Sequence, residues 1–246
     1  ILTVDSLAMA MAAKNSGGTV IVQVERIANP DSIHSRDVVI PGIMVDYVVV
    51  ARPENHMQTF GTQYRPELSG ELRVPLAHMQ PLPLDEAKVI SRRANLELQP
   101  YDVINLGIGY PEAVATVANE ENILEYLTMS VEPGIIGGMP LGGLDFGAAV
   151  NGEAVISMPD QFDFYDGGGL DLTCLGFAQC DSHGNVNSSK FGSRIAGCGG
   201  FIDISQNTKR VLFLGTFTTG GLKIAIENGQ VKILQEGKIK KFVKSS

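Results

Sequence analysis

The stretch DVINLGIGYPEAVATVANEENILEYLTMSVEP, residues 102–133, decides the fold. DVINLG is a short apolar run ending in glycine, the pattern of a buried strand. YPEAVATVANEENILEYL carries apolar residues at helical spacing, with Pro111 near its first turn, the pattern of a helix. LTMSVEP is strand-like again. Strand, helix and strand in this order predict an open α/β sheet.

Downstream, EAVISMP, LDLTCLGFAQC, GFIDIS and RVLFLGTF read as short strands separated by turn residues. KIAIE-NG-QVKIL reads as a hairpin, with Asn228-Gly229 supplying a type I′ turn. This hairpin-rich end predicts a mixed sheet with flanking helices. Upstream, DEAKVISRRANLEL reads as a helix starting at Asp85, and the polar stretch ENHMQTFGTQYRPELSGELRVP as a linker. SLAMAMAAKNSGG reads as a helix closed by glycines, and TVIVQVERI and VVIPGIMVDYVVVARP as strands. The expected division is residues 1–75 as the end of one α/β unit and 76–246 as a second. The chain opens on Ile1 in what reads as the middle of a domain, so a fragment or a processed chain is expected.

The 246 residues, 44% hydrophobic, suffice for a large core. No apolar run reaches bilayer length and no signal peptide is visible, so a cytoplasmic location away from the membrane is expected. A net charge of −8 argues against nucleic acid as a partner, which needs a basic face. Cys174, Cys180 and Cys198 are odd in number and form no CxxC pair, which argues against a disulfide framework or a zinc site. Asp163, Asp166 and Asp171 lack calcium-loop spacing, so no metal is expected. FDFYDGGG, around them, reads as a glycine-rich turn between strands.

Three stretches carry candidate chemistry. In NLGIGYP, Gly107 and Gly109 let backbone approach a ligand at a helix start, although Glu112 stands where a dinucleotide site needs a third glycine. In VEPGIIGGMPLGG, Pro133 biases Glu132 toward extended backbone and five glycines clear its surroundings. That Glu is either a general base or nucleophile in an open space, or a solvated strand end. In IAGCGGFIDIS, the glycines before the last strand-like run can aim N–H groups at an oxyanion. Cys198 there reads as a buried small residue, since none of the four histidines is an evident partner. Lys190 and Arg194 read as surface charges.

NLGIGYP, SVEPGIIGGMPLGGLDFGAAVN, QFDFYDGGGLDLTCLGFAQCDSHGNVN, FGSRIAGCGGFIDI, GTFTTGGLK and EGKIKKF, in that order, resemble the family I CoA-transferases. The likeness is greatest to single-chain transferases of the acetate or propionate type. It covers the chain from about residue 100, and SGGTVIVQVERI with PGIMVDYVVV resembles the end of the family's first half. The resemblance implies Glu132 as a nucleophile that forms an acyl-glutamyl anhydride and then a glutamyl-CoA thioester. It implies Asn105, Gly107 and Gly109 on the loop lining the substrate pocket, and Gly199, Gly200 and Phe201 at the oxyanion-hole and CoA site. It further implies acyl-CoA and a short-chain carboxylate as substrates, no permanently bound cofactor, a first half missing from these residues, and a homo-oligomer. IENG, residues 226–229, imitates the glutamate motif of two-subunit relatives, but alternating strands flank it and the hairpin reading stands. An acyl-CoA hydrolase of the same fold and a non-catalytic ligand-binding α/β module are the rival readings.

Overall fold

The computed structural model describes residues 5–245. Among them are five α-helices: α1 (Ser6–Asn15), α2 (Glu86–Asn95), α3 (Ala113–Glu120), α4 (Met158–Asp166) and α5 (Phe201–Gln206). Six strands form the main sheet in the order Arg210–Phe213, Leu172–Leu175, Val103–Leu106, Thr128–Val131, Ile135–Ile136, Ala154–Val155. The first four run parallel. The last two pair antiparallel. The sheet is mixed, as expected, but for a different reason. Its antiparallel part is the short hairpin after Glu132. The Asn228-Gly229 hairpin, with φ of 53° and 74° at its turn, pairs only with itself.

Alternation along the strands builds two apolar layers. Ile104, Leu106, Met129, Leu172 and Cys174 face one side and pack on α2 and α3 through Ala94, Val114, Ala115 and Ala118. The alanines let α3 lie close to the sheet. Val103, Leu175 and Val211 face the other side and pack on Tyr165 and Ile204 of α4 and α5, and on Leu170. Each large side chain buried in this way contributes about 1.5–3 kcal/mol. Helix α2 begins where Asp85 accepts from the Lys88 N–H at 3.0 Å, and Lys88 binds Glu120 of α3 at 2.6 Å.

Three readings of local structure are corrected. The helix expected to run to Leu127 stops at Glu120, because Asn122 adopts φ 56° and turns the chain back. GFIDIS is helix α5, not a strand, since Ile204 is the single residue it buries fully. FDFYD is the end of α4, not part of a turn. Ser157 caps that helix by accepting from the Asp160 N–H at 3.3 Å, Pro159 sits in its first turn, and only Gly167–Gly169 form the turn.

The amino-terminal region holds α1 and one parallel pair, Ile21–Val24 with Tyr47–Val50. All four residues of Tyr47–Val50 are exposed. The polar stretch after it contains short 3-10 turns and fastens to the main sheet region. Thr59 and Thr62 both donate to the Asp145 carboxylate, the latter at 3.1 Å.

Candidate active site

The central strand Val103–Leu106 is followed in the chain by its neighbour on one side, Thr128–Val131, and later by its neighbour on the other, Leu172–Leu175. The loops leaving the carboxyl ends therefore diverge, and such a divergence opens a crevice for a ligand. A cleft of about 320 Å³ lies there. Gly107 and Ile108 leave the first strand into it, Glu132 the second, and Gly176 and Phe177 the third. Cys198, Gly200 and Phe201 line it as well.

Among the described residues, Glu132 is the only charged side chain lining this cleft. It follows Val131, the last residue of its strand, and shares a sheet face with Ser130. Among the described residues its carboxylate makes no hydrogen bond or ion pair. Burial alone pushes its pKa above the ordinary carboxylate value. A half-buried carboxylate left unpaired is less well solvated than a surface one and so more reactive toward an electrophile.

The glycines after Glu132 serve the fold and not an approaching ligand, which corrects the sequence reading. A Cβ on Gly134 would stand 2.0 Å from the Ile156 carbonyl oxygen, and one on Gly138 2.3 Å from that of Val150. Gly137 abuts the Glu153 side chain, and Gly142 the Glu112 carboxylate. Close backbone packing demands Gly134 and Gly138, side chains crowd Gly137 and Gly142, and Gly143, at φ 63°, has open space around it.

The other residues singled out in the sequence divide. Gly107, Gly200 and Phe201 line the cleft with Glu132. Asn105 does not: it is buried within the sheet, where its Nδ2 donates to Tyr165 Oη at 3.4 Å. Gly109 lies beyond the lining, at φ 89°, and its N–H donates to Glu112 Oε1 at 2.9 Å. Glu112 thus occupies a donor that a phosphate site would need. Gly199, at φ 55°, is adjacent to the lining and not in it. The Phe201 N–H is engaged with Cys198 O at 3.2 Å, whereas the Gly200 N–H makes no hydrogen bond among the described residues. Cys198 is exposed, not buried as expected, because the glycines around it hold the loop at the surface. No group of three or more His, Cys, Asp or Glu placed to hold a metal occurs among the described residues. None of their helices is long and apolar enough to cross a membrane.

No protein-family model matches the chain. It is 47% identical over 246 residues to a caffeate CoA-transferase of Acetobacterium woodii, covering 98% of this chain and 47% of that one. It is 41% identical over 244 residues to the acetate CoA-transferase YdiF of Escherichia coli O157:H7, covering 99% and 46%. The crystal structure of the YdiF apoenzyme superposes on 99% of this chain with a TM-score of 0.86 at 40% identity. The chain belongs, in sequence and in fold, to the family I CoA-transferases. It spans about half the length of the curated relatives it matches. A second YdiF crystal structure, described as a thioester complex with CoA, superposes with a TM-score of 0.84 on 97% of this chain.

Sequence reasoning missed Ile108, Phe177 and the buried Tyr165 and Gln161. The last two stand four apart, the spacing of one helix face. Ser157 and Pro159 ahead of them were the helix-start signal that would have turned both inward.

Proposed function

We propose that the protein containing this chain transfers CoA between a short-chain acyl-CoA and a free carboxylate, with Glu132 as nucleophile. The observation that carries this is the single desolvated, unpaired carboxylate in a cleft at the carboxyl edge of the sheet. A Glu132 oxygen attacks the thioester carbonyl, the C–S bond breaks, and CoA leaves as thiolate. The thiolate attacks the glutamyl carbon of the resulting anhydride and releases the first acid as carboxylate. This leaves Glu132 as its CoA thioester. The incoming carboxylate attacks that thioester, and the displaced thiolate attacks the new acyl group. New acyl-CoA departs and the Glu132 carboxylate is restored. No water, proton or electron is consumed. The free Gly200 N–H is a described donor in the cleft available to the oxyanions formed on the way.

The same reading includes a first α/β half that completes the enzyme, with residues 1–75 as its end and 76–246 as the catalytic half. Two parallel strands alone do not make a stable sheet, and Tyr47–Val50 exposes Val48, Val49 and Val50, each about half accessible. Further strands of the first half would cover them. A homo-oligomer and a cytoplasmic setting with no permanent cofactor belong to the same reading.

Acyl-CoA consumption with and without acceptor acid tests it on the full-length protein. Transfer requires that acetyl-CoA disappear only when a second acid such as propionate or caffeate is present, with a matching new acyl-CoA. Consumption to free CoA without any acceptor would favour hydrolysis instead.

A further inference from the structure

Directly beneath the cleft lies a layer of buried polar side chains that a packed core does not require. Asn105, Ser130 and Thr173 come from three adjacent parallel strands. Each stands two residues before a cleft-lining residue at or just past the end of its own strand: Gly107, Glu132 and Leu175. Since side chains alternate, each points to the same face as the residue above it. All three meet α4. Tyr165 Oη donates to Ser130 Oγ at 3.0 Å and accepts from Asn105 Nδ2 at 3.4 Å. Ser130 Oγ donates to Ile104 O at 3.1 Å, and Thr173 Oγ1 to Asn105 O at 3.2 Å. The four side chains are between 0 and 2% exposed.

Around this layer the packing is apolar: Phe162 of α4, Ile204 of α5, Leu170 and Leu175 fill the space. A phenylalanine would pack there as well as Tyr165, whose ring meets Phe162 edge-on at 5.5 Å. One helical turn earlier, Gln161 is fully buried and neither its Oε1 nor its Nε2 has a hydrogen-bond partner. Burying polar groups in this way costs stability relative to an apolar layer, and the cost falls where the nucleophile's strand must be held.

We propose that Tyr165 is a positioning residue for Glu132, acting through Ser130 to lock the end of the nucleophile's strand onto helix α4. The inference rests on the transferase reading. A side chain that attacks the acyl thioester, and is then itself attacked by CoA thiolate as the anhydride and by the incoming carboxylate as the thioester, must return to one position each cycle. Glu132 has no hydrogen bond of its own to fix it, so its aim is set by the strand beneath it. Gln161 completes the same polar face of α4.

Tyr165→Phe removes one oxygen and keeps the ring. Adduct formation from acetyl-CoA would be followed by stopped-time mass spectrometry on the full-length protein, over a range of acetyl-CoA concentrations. We expect the saturating rate to fall tenfold or more and the half-saturating concentration to stay within twofold. Ser130→Ala breaks the same contact from the other side and should match it, which also covers a Tyr165→Phe that does not fold. The double variant should be no slower than the slower single one, because one contact is lost in all three. A Tyr165→Phe rate equal to wild type overturns the inference. So does a loss confined to half-saturation, or a double variant whose losses multiply. Wild-type protein that forms no adduct at all sinks the transferase reading, and this inference with it.

Discussion

Glu112 accepts a hydrogen bond from the Gly143 N–H at 3.0 Å, across 31 residues of chain. Its other oxygen accepts from the Gly109 N–H at 2.9 Å. One carboxylate therefore clamps the loop after the central strand, whose Gly107 and Ile108 line the cleft, to the loop after the Glu132 hairpin. In Glu112→Ala both N–H groups turn to water. Since they are exposed, the loss of stability should be no more than about 1–2 kcal/mol. The larger effect expected is a several-fold rise in KM for acyl-CoA. Steady-state kinetics beside a urea melt separate the two, and an unchanged KM would show that the clamp has no part in binding.

Glu132 titrates upward because burial penalises its charged form, from an ordinary value of 4.5. The folded state holds the proton more tightly than the unfolded chain. Its contribution to stability is therefore complete below pH about 4.5 and is lost as pH rises through the higher folded value. At neutral pH the bare carboxylate weakens the fold. Glu132→Gln should raise Tm at pH 7, leave it little changed at pH 4, and abolish transfer. The wild-type rate should fall on acidification at a higher pH than a solvated glutamate would dictate. A variant that is less stable at pH 7 would contradict this.

Gly134 has φ 113° and leaves no room for a side chain before Ile156 O. Gly134→Ala should cost about 3 kcal/mol or more, combining backbone strain with a clash against backbone that cannot yield. Gly109 has φ 89° and open space around it. Gly109→Ala should cost about 1–3 kcal/mol, from conformation alone. Denaturant midpoints for the two variants would test the order, and equal losses would argue against it.

Cys198 is exposed at the cleft, whereas burial pushes the Cys174 thiol up to about 12. A bulky maleimide should label Cys198 first and Cys174 only on unfolding. Labelling should block acyl-CoA turnover, and Cys198→Ser should be active and resistant. Saturating CoA should slow the reaction. Labelled protein with full activity would remove Cys198 from the substrate's path.

Much of this was readable in the sequence where short-range chemistry decides structure. Asp85 ahead of an amphipathic run gave helix α2, and Asn228-Gly229 gave its hairpin. Glu132 at the end of TMSV, before a proline, gave a strand end. What escaped depended on contacts distant in the chain. FIDIS has strand-like residues but becomes helix α5 because Ile204 packs on α4 and Leu175. The glycines near Glu132 looked like room for a ligand, yet the atoms that exclude a side chain belong to residues 150–156 and to Glu112. Asn105 looked like a cleft residue, but it lies two residues below the lining on the same sheet face, covered by a tyrosine sixty residues later.

The central claim is that Glu132 carries the acyl and CoA groups during turnover. The most direct test is peptide mass mapping of the full-length protein after incubation with acetyl-CoA and no acceptor acid. A CoA-derived adduct on the peptide containing Glu132, absent from Glu132→Gln, is the result this account predicts. Folded protein that binds acetyl-CoA but shows no adduct there, or shows one on another residue, would contradict it.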